Sequence, residues 1–435
     1  MLLAGLSAWL AVRLSIFFIT YSTTVTAEAI AIVATYFLGF LMGTFALPAR
    51  FVRGAPPESR FPGKYGRVAV VLFSISALFL VLRIYDLLFV RGLWEIGDIQ
   101  ATRAEDLAQI EGRTTGGISF ISGLGYSIAV PVFVFTIAFQ RFLSKRLYVT
   151  GFLVFSIYCA YVFFSGSRYL LIGPLTFAII AYAFANRGIK LSRGKLLALV
   201  AICGALFWFF TMGSLSRDVK FGAADSAEAL AIAPYRQLFS ADPWFQSWFQ
   251  RQNDAVQAIF WGWVNYAWYV THGAYEFQKL VDFSDPTVHS YGVAQFSMVF
   301  YFLRVMGLPL ADDSVWVAQL PNAGLYNTFF GPVYTDFGWI GGGIYMFIVG
   351  ITVQYCWSWA RRGGDGSLLF YPFLASMVFN MFMNNLIQNG NGVPIMALTA
   401  TVIVLVKSFN HLQGLGRLGN ALKPAGFSKP AFKQP

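Results

Sequence analysis

Charge is scarce in this chain. Charged residues make up 12% of its 435 residues, about half the share of an ordinary soluble domain. With 57% hydrophobic and 18% aromatic residues, such a chain in water would expose very large apolar patches. The same composition excludes intrinsic disorder. Cysteine is nearly missing: Cys159, Cys203 and Cys356 each sit in an apolar run without CxxC spacing, and read as small hydrophobes, neither disulfide partners nor thiolate ligands. Histidine is as rare. His272 and His289 are isolated, no HxxxH, HExxH or DxD pattern occurs, and Asp312-Asp313 reads as a solvated turn. No metal and no cofactor is therefore expected. The chain also lacks a P-loop, a Rossmann glycine pattern and a GxSxG elbow, which argues against nucleotide-driven chemistry.

What is there is apolar length. Mean hydropathy is +0.60, and stretches of the roughly 20 apolar residues a spanning helix needs fall near 3–22, 27–48, 68–90, 117–139, 148–164, 169–186, 196–212, 338–358, 368–387 and 394–410. The first run passes into the second without a cleavage motif and reads as a retained helix. The net charge of +11 is a topology signal, not a nucleic-acid signal. Arg50, Arg53, Arg60, Lys64 and Arg67 precede the third span, and Arg141, Lys145 and Arg146 the fifth. Arg187, Lys190, Arg193 and Lys195 follow the sixth. Arg361 and Arg362 separate two late spans, and Arg417, Lys423, Lys429 and Lys433 lie in the tail. Counted alternately, these stretches share one side, which predicts cytoplasmic termini.

The stretch 213–337 differs: it holds 11 of the 20 acidic residues. Within it, 255–275 and 293–310 are strongly aromatic and read as interfacial helices forming a lid. A hairpin of two further spans is the alternative. The expected organisation is a transmembrane bundle over 1–212, an outer helical loop over 213–337, transmembrane helices over 338–410 and a basic tail over 411–435, Gly/Pro/Lys-rich and disordered. Residues 91–116 read as a short amphipathic outer helix.

Some charges stand where hydropathy disfavours them. Arg168, in Ser167-Arg168 between two apolar runs, directly precedes a helix start. It reads as a phosphate site aided by helix amides or as a headgroup anchor. Arg83 and Asp86 have i, i+3 spacing near the outer end of the third span and read as an ion pair or an intramembrane functional pair. Arg13, mid-helix, reads as structural. Arg217, Arg236, Arg251 and Arg304 are spread along the outer region, and guanidinium groups suit phosphate oxygens.

The segment Asn322-Ala-Gly-Leu-Tyr-Asn327-Thr328-Phe-Phe-Gly-Pro332-Val-Tyr334-Thr-Asp336-Phe-Gly338-Trp-Ile-Gly341 resembles the bacterial oligosaccharide repeat-unit polymerases, the Wzy-type O-antigen and related polysaccharide polymerases. There a segment of this type enters a helix after a long periplasmic loop. The Ser167-Arg168 turn, His289-Ser-Tyr-Gly292 and Leu303-Arg-Val-Met-Gly307 are similar to theirs as well. The related O-antigen ligases carry a histidine where this chain has Asn327, which argues against a ligase and leaves the base open.

The resemblance implies an all-α polytopic membrane protein of about 10–12 transmembrane helices, with a large helical periplasmic loop and a GT-C-like architecture. It also implies a metal-independent glycosyltransferase of the bacterial inner membrane. This enzyme would join undecaprenyl-diphosphate-linked oligosaccharides into O-antigen, common antigen or capsule, with a chain-length regulator and a flippase as partners. A lipid-linked oligosaccharide flippase or transporter is the competing class. On this reading Arg168 and Arg217 hold the departing diphosphate and Asp336 is the carboxylate for the acceptor hydroxyl. An N-cap role is the other account of Asp336. Arg83, Arg304, Asn327, Thr328 and Tyr334 bind substrate.

Overall fold

The structure is a computed structural model. It describes residues 1–47, 62–90, 117–164, 169–186, 239–284, 288–310, 328–362, 365–388 and 392–421, with isolated positions between 194 and 230. Arg168, Arg217, Arg236, Asn327, the Asp312-Asp313 pair and the 91–116 segment lie outside the described residues, as does most of the 196–212 run.

Among the described residues the fold is helical apart from one two-residue strand pair. Among the described residues, four helices are long and apolar enough to cross a membrane: Ala27–Ala46, Tyr65–Val90, Ile121–Ala138 and Phe330–Arg361. Leu2–Ser15, Gly173–Ala185 and Gly392–Ser408 are apolar but shorter. The chain is thus an all-α membrane protein. In chain order the helices are α1 (Leu2–Ser15), α2 (Ala27–Ala46), α3 (Pro62–Tyr85, continued by a π-turn to Val90), α4 (Gly117–Gly125), α5 (Ala129–Ala138), α6 (Lys145–Phe164) and α7 (Tyr169–Ala185). They continue as α8 (Pro243–Gln250), α9 (Asp254–Thr271), α10 (Gly273–Phe283), α11 (Ser297–Val305), α12 (Phe330–Arg361), α13 (Asp365–Asn380) and α14 (Gly392–Ala421).

The tightest packing joins α2 to α12. Trp339 Nε1 donates to Thr35 Oγ1 at 2.9 Å, Gly39 faces Gly343, and Gly43 faces Phe347. Both residue numbers rise together, so the helices run parallel, as alternate counting of the spans requires. Small residues let the backbones touch, the usual device where lipid supplies no hydrophobic drive. A Cβ on Gly43 would stand 2.1 Å from the Phe347 carbonyl oxygen. Gly43→Leu is therefore expected to force the pair apart and cost about 1–3 kcal/mol or more. Thermal unfolding in detergent reads this directly, and a wild-type midpoint would contradict it.

Other contacts define two ends. The Tyr65 hydroxyl donates to the Asp365 carboxylate at 3.0 and 3.1 Å, and Arg141 donates to Asn186 at 3.4 Å. Tyr65 also stacks on Phe142, ring centres 5.0 Å apart, so the residues beside four of the basic stretches share one end. At the other, the Thr26 amide ahead of α2 donates to Gln278 Oε1 of α10 at 2.7 Å.

Several expectations are corrected. The first span stops at Ser15, because Arg13 turns back to donate to the carbonyls of Ile16 and Ile19, at 3.2 and 3.4 Å, and to the Tyr275 hydroxyl, at 3.0 Å. Beyond it, β1 (Ile19–Thr20) pairs antiparallel with β2 (Ser240–Ala241). Phe18 stacks on Phe245 of α8, and with Trp261, Val264 and Trp268 of α9 these residues close a second, aromatic core. A Cβ on Gly5 would stand 2.1 Å from the Phe379 carbonyl oxygen. Residue 1 is thus near the end of α13 away from Asp365, not with the basic stretches.

The aromatic run 255–275 is α9 and α10, broken at His272-Gly273, and neither is among the candidate spans. α11, with nine residues, reaches roughly 14 Å, under half of a bilayer core of about 30 Å. The extra hairpin of spans is not formed. The run 368–387 ends as helix at Asn380, and α14 continues to Ala421, into the segment expected to be disordered.

The α9–α10 junction holds His272, 2% exposed and stacked on Trp268. Its Nδ1 lies 3.0 and 3.1 Å from the carbonyls of Trp268 and Tyr269, and its Nε2 has no partner among the described residues. Two carbonyl acceptors fix the proton on Nδ1. Burial pushes the imidazole below its ordinary value, against the opposing pull of Glu276. An imidazole depressed in the folded state is protonated first in the unfolded chain, so stability falls as pH drops below about 6.5. The melting midpoint is expected to be lower at pH 5 than at pH 7.5, with the difference reduced in His272→Gln. An unchanged difference in that variant would contradict this.

Candidate functional site

The site forms where the start of α12 meets the loop ahead of α11. Asp336 is fully buried. Its carboxylate accepts from the Ala294 amide at 2.9 Å, the Gln295 amide at 2.8 Å and the Ser290 hydroxyl. The backbone is strapped as well: Ser290 N donates to the Thr335 carbonyl and Tyr291 N to the Asp336 carbonyl, each at 3.1 Å. One carboxylate thereby satisfies the amides of Ala294 and Gln295 and the Ser290 hydroxyl, as caps do at helix starts. It caps this loop rather than its own helix.

The loop held in this way is strained. Tyr291 has φ +49°, the sole non-glycine positive φ among the described residues, and Gly292 follows at +101°. Such outliers cost about 1–3 kcal/mol each and persist where surroundings over-determine them, commonly at working sites. Tyr291 is 77% exposed, so the strain presents an aromatic ring outward. Two residues earlier, His289 sits half-buried against Gly338. Gly338 breaks α12 at φ +62°, ψ −165°, a conformation essentially reserved for glycine. A Cβ there would lie 2.6 Å from the His289 ring. Tyr36 of α2 donates to the Gly338 carbonyl at 2.8 Å, which satisfies the group freed by the kink.

A second loop closes the site from below. At the end of α13, Asn384 Oδ1 accepts from the Asn385 amide at 2.7 Å, and Asn385 Oδ1 accepts from the amides of Ile387 and Gln388 at 3.0 and 3.3 Å. These local bonds replace the helical ladder, which is why the helix stops early. Asn385 Nδ2 donates to Gln295 Oε1 at 2.6 Å, and the Phe329 amide donates to the Met381 carbonyl at 3.0 Å. Leu386 packs on α7, its Cδ2 3.9 Å from where a Gly173 Cβ would stand. The N-terminal half of α7 therefore joins the same end of the molecule.

The expected residues separate into groups. Asp336, Thr328 and Tyr334 lie together at the start of α12. The Thr328 hydroxyl is buried with no partner among the described residues, while Tyr334 packs edge-on against Phe277 of α10. Arg304 is half-buried in the last turn of α11. Arg83 belongs to a closed cluster of its own. Its Nη1 donates to Asp86 at 2.7 Å and its Nε to the Tyr161 hydroxyl at 2.8 Å, and its plane lies 5.6 Å from the Tyr126 and Tyr161 ring centres. Ser119 donates to the other Asp86 oxygen. These contacts engage Nε, Nη1 and the flanking rings, so Arg83 serves as the lock between α3, α4 and α6.

His289, Gln295 and Asn385 were missed as site residues. The signal for Asn385 was available: five asparagines fall within 380–391, between apolar runs. Comparison of the chain with protein-family models, curated proteins and solved structures finds no match.

Proposed function

We propose that this protein is a polysaccharide polymerase that joins lipid-diphosphate-linked oligosaccharide units at the outer face of a bacterial inner membrane, with a GT-C-like arrangement of helices and loop. The observation that carries the reading is the Asp336 clamp. It ties two separate patches of family-like sequence, His289–Gly292 and Asp336–Gly338, into one strained turn at the end of the bundle away from the basic loops.

The chemistry follows from the compartment. Nucleotide sugars and ATP are absent there, so the donor must bring its own leaving group, and a lipid diphosphate does so. Isoprenoid tails lie between helices while the diphosphates stay at the interface. Glycosyl transfer through an oxocarbenium-like state needs cations for the departing diphosphate and a base for the acceptor hydroxyl. Arg168, Arg217 and Arg304 are assigned to the diphosphate. Asn327 and Thr328 are assigned to sugar hydroxyls, while the fully buried Gln295 holds Asn385 in place. Asp336, enclosed by its three donors, acts as the anchor that shapes the site.

Cells lacking the gene should accumulate single lipid-diphosphate repeat units. The purified full-length protein, given those extracted units, should convert them to a ladder of longer glycans. Failure of the purified protein to extend them would refute the reading.

A further inference from the structure

We infer that His289 is the general base that takes the proton from the acceptor hydroxyl, an assignment that rests on the polymerase reading. The transfer forms a bond between the acceptor oxygen and the donor's anomeric carbon. It breaks the bond from that carbon to the diphosphate oxygen, which leaves with the electron pair, and the hydroxyl proton must go to a nearby base. Asp336 is the carboxylate of this site, but it is fully buried and both its oxygens are engaged. His289 is the adjacent titratable group with free capacity. It is half-buried, and neither ring nitrogen has a hydrogen-bond partner among the described residues. Imidazole is the side chain that most often performs this step near neutral pH.

Its placement is built, not incidental. The straps from Ser290 and Tyr291 to α12 fix the backbone on its C-terminal side, and the missing side chain of Gly338 makes the notch its ring occupies. The exposed Tyr291 ring stands edge-on, 6.4 Å from the imidazole, and offers a sugar a stacking face beside it. Among the described residues, the titratable side chain in ring contact with His289 is Tyr291 of its own loop.

The test uses full-length protein and lipid-diphosphate units extracted from cells lacking it. His289→Gln is expected to lower kcat by about 100-fold or more with KM little changed, and added imidazole is expected to restore part of the rate to His289→Ala. In the wild type, kcat should fall as pH drops from 8 to 5. Rates within a few-fold of wild type in His289→Gln would overturn the assignment. So would a folded, inactive His289→Ala that imidazole leaves unchanged. If the variants do not fold, a wild-type kcat flat over that pH range overturns it. A wild type that makes no ladder fails the polymerase reading instead; a wild type and a His289→Gln that both polymerise fail only the present inference.

Discussion

Replacing Asp86 by alanine is expected to cost about 3–5 kcal/mol of stability, the price of leaving one charge of a buried pair unmatched. Asp86 is fully buried and Arg83 is 8% exposed, and the pair spans 2.7 Å. Removal of the carboxylate strands the guanidinium between the Tyr126 and Tyr161 rings and leaves Ser119 without its acceptor. Arg83→Ala should cost as much, since it leaves the carboxylate instead. The double replacement Arg83→Met, Asp86→Leu should recover most of the loss, because apolar residues of similar volume commonly replace a buried pair at little cost. Thermal unfolding in one detergent of the wild type, Arg83→Met, Asp86→Leu and their double variant forms the double-mutant cycle. Additive losses would contradict the lock. Full polymerase activity in the folded double variant would confirm that Arg83 does not hold phosphate.

The second large effect is expected at Asp336. Hydrogen bonds to a charged group are worth about 1.5–3 kcal/mol each, and Asp336 receives three. Asp336→Ala removes them together and frees Tyr291 and Gly292 to relax from positive φ. A stability loss of about 3 kcal/mol or more is expected from those bonds, together with loss of the glycan ladder. Asp336→Asn should be nearly as damaging, because an amide turns one acceptor into a donor facing N–H groups. Hydrogen exchange localises the effect: the amides of Ala294 and Gln295 should lose protection in both variants while those of α2 and the lower half of α12 keep it. Unchanged protection at 294 and 295 would remove Asp336 as the anchor.

Much of the bundle was legible because composition dictates it. Apolar runs of sufficient length produced α2, α3, α5 and α12, and the alternation of basic stretches is consistent with the parallel pairing of α2 and α12. Failures came where side chains compete with the helical ladder. Arg13 and the Phe18–Phe245 stack end α1, and Asn384 and Asn385 end α13, although hydropathy carries both runs onward. At the site, the Asp336–Gly338 motif was visible as sequence. Its physical content was not, because the partners of Asp336 lie more than 40 residues upstream. His289 read as an isolated histidine since nothing local shows that a notch at Gly338 awaits it.

The most direct test of the whole account is the position of a bound lipid-diphosphate oligosaccharide in the full-length protein, determined by electron cryo-microscopy in a lipid nanodisc. The account predicts a sugar on the Tyr291 ring, with a hydroxyl in hydrogen-bond reach of His289 and the diphosphate toward the start of α7. Density for the diphosphate at the opposite end, beside Arg361 and Arg362, with the 288–296 loop untouched, would contradict it.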